Sequence, residues 1–406
     1  MKKITHLLLI PFCFALVFIS CEEDKGGIGG ETGAENEILV EANISGNEVW
    51  SSNFIYILAG RITVLDGATL TIEPGTVIKG QAGTGSNATA LMVARGGTLI
   101  ADGTATAPII FTSIADEINP EQIAAGDFKS PNLDPDIDGL WGGVIVLGKA
   151  RISASNSSGD VSEVQIEGIP TSDSNGLYGG NEDNDNSGIL RYISIRHGGA
   201  NIGSGNEING LTLGGVGSGT TVEYIEVVAN QDDGIEWFGG TVNTSNVVVW
   251  NVGDDGIDTD QSWSGTLNNF VVITPTGHCF ELDGPEGSYE AGHTIQNGTI
   301  IASTDDGSRF SEHLINLDNN SIVSLSNLYF FNLVEGQVIN RIQCVDGNCP
   351  FSGIQLLVPD GNVLEDFVYG GVVPAGIIEV TTPSVGASSA LFAWTWAAQV
   401  GMLNGL

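Results

Sequence analysis

The sequence predicts an all-β fold, a right-handed parallel β-helix with a short C-terminal capping helix. Three observations predict it. Val227, Val249 and Val272 hold the same place in three β-branched runs, Tyr224-Ile-Glu-Val-Val, Asn246-Val-Val-Val-Trp and Asn269-Phe-Val-Val-Ile, at steps of 22 and 23 residues. The turn after the strand repeats too, as Asp232-Asp-Gly-Ile-Glu236 and then Asp254-Asp-Gly-Ile-Asp258. Between residues 40 and 380 short β-branched runs alternate with Gly, Asn and Asp, and helical periodicity is nearly absent. A period of this length suits one coil of a solenoid. One coil cannot bury its apolar side alone and must stack on its neighbours. Stacking places equivalent residues about 4.8 Å apart. A sandwich would ask for hairpins, and a propeller for a period near 40–50 residues.

The elements follow in chain order. Residues 1–20 open with Met1-Lys2-Lys3 and continue as an apolar run, Ile4 to Ile19, which is too short to span a bilayer and reads as a signal peptide. Residues 21–38 form a polar tether, flexible through Gly26 to Asn36. Residues 39–385 form the β-helix. Residues 386–406 form the helical cap, with Leu391, Trp394, Ala398 and Met402 near one face. Such a cap is expected because a solenoid has open ends that must be covered.

The charge narrows the partners. The chain carries 49 acidic and 13 basic residues, a net charge of −36. Nucleic acid is excluded, because phosphate binding needs a cationic surface, and attraction to anionic lipid heads is weak. Removing residues 1–20 leaves 11 basic and 49 acidic residues, a mature charge of −38. Cys344 and Cys349 bracket the turn Val-Asp-Gly-Asn, so they are expected to form a local disulfide. Cys279 is then unpaired and reads as a small buried apolar residue.

Two resemblances refine this picture. Phe18-Ile19-Ser20-Cys21 resembles a bacterial lipobox, which implies cleavage before Cys21 and lipidation of its thiol. Glu22-Glu23-Asp24-Lys25 resembles the surface-export signal of Bacteroidetes lipoproteins. Leu70-Thr-Ile-Glu-Pro-Gly-Thr-Val-Ile-Lys-Gly80 and Trp141-Gly-Gly-Val-Ile-Val-Leu-Gly148 resemble coils of bacterial right-handed β-helices. The Asp-Asp-Gly coils and the tail around Trp394-Thr-Trp396 resemble outer-membrane lipoproteins common in Bacteroidetes. The resemblance implies a lipid-anchored protein on the extracellular face of the cell outer membrane. Its expected partners are that membrane and an outer-membrane barrel or transporter complex.

Three acidic constellations could carry chemistry. In the first, Asp233 stacks on Asp255 and Asp232 on Asp254, with Glu236, Asp258 and Asp260 close by. Like charges one strand spacing apart cost free energy unless protonated, hydrogen-bonded or neutralised. The ladder therefore needs Ca2+, backbone N–H groups or a substrate, and Asp233 and Asp255 are the expected metal ligands. The same residues resemble the motifs of polygalacturonases. Asp233-Gly234 matches the first, Asp254-Asp255 the second, Gly277-His278 the third and Arg309 the fourth. That resemblance implies catalytic Asp233, Asp254, Asp255 and His278 in an inverting hydrolysis. The chain departs from it at Gln231-Asp232, at Cys279 after the histidine, and at Ser308-Arg309-Phe310, which lacks the lysine. Few cations are on offer for an anionic substrate.

The second constellation is Asp134-Pro-Asp136-Ile-Asp138-Gly139, the first half of a calcium loop, with Ile145 where the twelfth-position Glu would stand. A partial Ca2+ site and a solvated turn both remain open. The third, Asn181-Glu-Asp183-Asn-Asp185, has the same alternation and reads as a Ca2+ loop or an acidic surface loop. His197, after the run Arg191 to Arg196, reads as a turn hydrogen-bonder. The functional expectation is a non-catalytic binding or accessory module for a glycan, a peptide or an outer-membrane complex. Trp237, Trp250, Trp263 and Tyr289 would stack on the ligand or pack the coils. The alternatives are a carbohydrate-active enzyme of polygalacturonase type and a structural or adhesive surface protein.

Overall fold

The computed structural model describes residues 36–202, 208–340 and 350–406. The predicted Cys21 anchor and the Cys344–Cys349 pair lie outside the described residues. The stacking register is the predicted one: Val227 pairs in parallel with Val249, and Val249 with Val272. The ladder extends through Ile195 on one side and Ile300 and Phe330 on the other. The chain is a parallel β-helix. One sheet of 15 strands and one of nine run along the stack.

The larger sheet wraps two sides of each coil. Its long strands, Thr221–Val228, Thr244–Trp250, Thr266–Ile273, His293–Ile301 and Val323–Phe331, each contain one residue with positive φ. These residues are Tyr224, Asn246, Asn269, Asn297 and Asn327, and Tyr192 holds the same place in Gly188–Arg196. Pairing skips each of them, so each marks a bend. Asparagine suits the place because its short side chain tolerates the left-handed region better than most. It also links coils: Asn269 Nδ2 donates to Asn246 Oδ1 at 2.8 Å, and Asn327 Nδ2 to Asn297 Oδ1 at 3.0 Å. Tyr192 and Tyr224 stack instead, at 4.2 Å. In the first coils a loop replaces the bend, and Gly188–Arg196 pairs with two separate strands, Thr98–Asp102 and Ile109–Ser113.

The core fills the interior of the stack, where Leu213, Trp237, Trp263, Phe270, Phe280 and Phe330 are buried with the valine ladder. Burial of such side chains stabilises by about 1.5–3 kcal/mol each. Cys279 belongs to this core as a free, buried thiol, as expected.

The C-terminal segment holds one short α-helix, Trp396–Gln399, after a 3-10 turn, Ser389–Phe392. The longer helical face expected through Leu391 is not formed, and Leu391 is exposed. The segment runs along the flank of the stack. Ser384 N donates to Gln355 Oε1, Ala387 N to Thr299 Oγ1, Ser388 N to Asn269 Oδ1 and Ala397 N to Glu226 Oε1. Gln399 reaches the early coils, donating to Gly126 O and accepting from Phe128 N. Trp394 packs with Val77, Ile110, Ile118, Ile123 and Phe128. Apolar outward residues draw it there: Val228, Val248, Trp250, Val271 and Ile273 form a cluster with Phe392, Trp396 and Leu403.

Candidate functional site

The acidic turns build one edge of the smaller sheet. Backbone bonds tie Gly210 N to Asp233 O, Gly234 N to Asp255 O, Gly256 N to His278 O and Cys279 N to His313 O, all within 2.9–3.0 Å. Asn209, Asp233, Asp255, His278 and His313 therefore occupy one column. Three residues on, Thr212, Glu236, Asp258, Glu281 and Asn316 form a second column in register. The glycine after each Asp pair is required by close approach. A Cβ on Gly234 would meet Val249 Cγ1 at 2.4 Å and Gly256 O at 2.6 Å, and one on Gly256 would meet Val272 Cγ1 at 2.6 Å.

Within the first column the carboxylates serve the backbone. Asp233 Oδ1 accepts from Asp255 N at 2.9 Å, and Asp255 Oδ1 accepts from His278 N. Both aspartates are buried, with 7% and 3% of their surface exposed. Burial, then the neighbouring carboxylates Asp258, Asp232 and Asp255, push Asp233 well above the usual carboxylate range. Burial and the Glu281 carboxylate push Asp255 up to about 10. Glu236 and Asp258 are also raised well above their ordinary values, mainly by burial and then by Asp233 and Glu236 respectively. Asp260 is pushed up to about 7 by burial and Glu286. Asn209 Nδ2 donates to Glu236 Oε2, and Asn316 Nδ2 to Glu281 Oε1 at 2.9 Å. The raised values describe a band that stays protonated near neutral pH or takes up a cation.

Three groups of carboxylates converge closely enough to ligate one ion: Asp232, Asp233 and Asp254; Asp233, Glu236 and Asp258; Asp255, Asp258 and Glu281. The predicted Asp233 and Asp255 thus fall in separate groups, and the structure adds Glu281. The predicted catalytic set is brought together in part. His278 Nδ1 lies 3.9 Å from Asp255 Oδ1. Arg309 is committed elsewhere: its Nε donates to Thr274 O at 2.8 Å and its Nη2 to Val252 O at 2.6 Å.

The other two acidic loops have protein partners. Asp134, Asp136 and Asp138 are not among the converging groups. Burial raises Asp138, and the Arg309 guanidinium beside it opposes that rise. Pro135 O accepts from Asn251 Nδ2, and Ile137 O contacts His197 Nδ1, so this loop is docked on the coil corners. Asp183 takes both Nε and Nη2 of Arg151, which holds its carboxyl below the usual range. His197 is the turn hydrogen-bonder expected.

Three of the four aromatics proposed for ligand stacking are packing residues. Trp237 and Trp263 stack on each other at 4.7 Å inside the helix, and Trp250 lies edge-on to Trp396 under the C-terminal segment. Tyr289 is half-buried, with Arg151 4.9 Å from its ring centre. It lines a cleft of about 410 Å³ with Ser153, Asp160, Asn181 and Ser288.

A stacked parallel solenoid with an acidic turn edge defines the class. The chain belongs to the pectate-lyase-like β-helix domain family, whose model matches residues 42–348. No curated protein and no solved structure matches it.

Proposed function

We propose that this β-helix is a non-catalytic binding module displayed at the cell surface. Cys21 would anchor it by lipid to the outer membrane, and the tether would hold the solenoid outside. One observation carries the non-catalytic reading: Asp233 and Asp255 are buried, and each gives its Oδ1 to an N–H group of the next coil. A catalytic carboxylate must instead reach a substrate proton or water. The family itself fits a carbohydrate ligand, and the cleft at Tyr289 offers an aromatic ring among polar side chains, the mix that sugar recognition uses. An outer-membrane barrel or transporter complex remains the proposed partner for the anchored protein. Ca2+ is the proposed ion of the carboxylate band, through Asp233, Glu236 and Asp258.

The test is a glycan panel scored both for binding and for new reducing ends or unsaturated products, with Asp255→Asn and Tyr289→Ala as variants. Binding without turnover, weakened by Tyr289→Ala, supports the reading. Turnover abolished by Asp255→Asn overturns it in favour of an enzyme, for which the Asp255–His278 contact would supply the acid.

A further inference from the structure

The larger sheet carries a surface of a different kind from the acidic turns. Before the bend of each long strand, Val222, Thr244, Leu267, Ile295 and Leu325 are buried in the stack. Side chains alternate along a strand, so the residues on either side of these face outward. Thr221, Asn243, Thr266, Thr294 and Ser324 make one outward column in the parallel register of the strands. Asn243, one residue ahead of its strand, is tied in by accepting from Thr266 N at 2.9 Å. Glu223, Ser245, Asn268, Gln296 and Ser326 make the second column. Rungs are about 4.8 Å apart, and the columns roughly 6.6 Å apart, two residues along a strand. All these side chains are half-buried or exposed. A cleft of about 410 Å³ lies over four of the coils, with walls from Thr221 to Gln296.

The chemistry of this face is out of keeping with the chain. The protein has 49 acidic residues, yet on these two columns only Glu223 is charged, and Arg191 Nε donates to its Oε1 at 2.5 Å. A charge covered by a neutral ligand loses its hydration without recompense, whereas hydroxyls and amides exchange bonds to water for bonds to the ligand. The amides are also held in place: Asn268 Oδ1 accepts from Asn297 Nδ2 at 2.7 Å and from Gln296 Nε2 at 3.3 Å. Side chains ordered beforehand lose less entropy on binding. The occupant that fits is uncharged, extended and repetitive, with hydrogen-bonding groups at every repeat. A β-linked sugar chain has these properties, and one sugar is close to one rung in length. A cationic peptide would call for carboxylates here, and a polyuronate for cations.

We propose that this face binds a neutral, extended polysaccharide laid along the stack, one sugar to a coil. The proposal rests on the glycan-binding reading and gives the glycan its charge class. It places the chain on residues that the Tyr289 cleft does not share. Neither column holds an aromatic ring, so each coil contributes only hydrogen bonds and affinity builds with the length of the chain.

The experiment titrates the protein by calorimetry with trimers and hexamers of β-1,4-linked glucose, mannose and xylose, and with oligogalacturonate, at low and high salt. The expected result is a neutral hexamer bound at least about fivefold more tightly than its trimer, the scale of one added neutral hydrogen bond, while oligogalacturonate does not bind. Salt should change this affinity little, since no charge pair is made. The double variant Thr266→Ala, Thr294→Ala should weaken hexamer binding at least about fivefold. Thr266→Arg, which lays a long side chain across the face, should abolish it. Both changes fall on half-buried surface side chains, and melting temperatures confirm the fold of each variant. Binding weakened by Tyr289→Ala but unchanged in both face variants overturns this proposal and leaves the glycan reading standing. Binding of oligogalacturonate in place of neutral chains does the same. Binding of no glycan at all overturns the two together.

Discussion

Asp255 shows how one side chain joins two coils. Its carboxyl accepts the His278 N–H while burial and Glu281 hold it protonated. An amide keeps the acceptor and never ionises. Asp255→Asn should therefore match or exceed the parent in stability at pH 8, whereas Asp255→Ala should lose about 1–3 kcal/mol by orphaning the N–H. Denaturant melts at pH 8 separate the two, and a destabilised Asn variant would contradict the assignment. The band also sets a pH profile. In the unfolded chain these carboxyls lose their protons near pH 4. In the folded chain Asp260 holds its proton to about 7 and Asp255 to about 10. The folded state binds more protons, so this stabilisation is complete below pH 4 and is lost as pH rises through those values. Melting temperature should fall between pH 5 and 9, and millimolar Ca2+ should shrink the fall. A profile that rises over that range would refute the protonated band.

At the scale of elements, the bend column and the C-terminal segment meet at Asn269. Its left-handed backbone, its bond to Asn246 and its acceptance of Ser388 N are three separate contributions. Asn269→Ala should cost about 2–3 kcal/mol, with roughly 1–2 from the backbone conformation alone. Asn269→Gly should recover the conformational part and leave the bonds missing. A second seam lies at Glu226, which is fully buried, bonds Ser194 Oγ and Ala397 N, and sits 3.5 Å from the equally buried Arg196. Glu226→Ala leaves that guanidinium without its anion and should cost about 3–5 kcal/mol by chemical denaturation. The valine ladder was legible in the sequence because three undecorated coils repeat at nearly constant length. So was the Asp-Asp-Gly turn, since its glycines have no room for a side chain. The histidine pair was not, because a long excursion follows His278 and puts His313 35 residues away rather than 22 or 23. Glu281 escaped for a related reason, as its coil lacks the Asp-Asp-Gly sequence. The bend column was hidden because tyrosines occupy its first two places, asparagines the next four and Gly353 the last.

For the whole molecule, the decisive non-local feature is the C-terminal segment, whose place on the flank follows from outward-facing Val228, Trp250 and Ile273. No local pattern encodes that choice. Removing residues 384–406 would bare this apolar face and take away Trp394 and Trp396, each worth about 3–5 kcal/mol by the cost of a tryptophan-to-alanine change. The truncated protein should melt at lower temperature and exchange amide hydrogens faster along Thr221–Val228 and Thr244–Trp250. Unchanged protection there would show that the coils stand without it.

The same geometry has a mechanical consequence. Solenoid coils that touch only their neighbours can be peeled off singly when an end is pulled. Here a crosspiece is bonded to coils from Gln355 back to Gly126, so tension applied at the N-terminal side would load many rungs in shear at once.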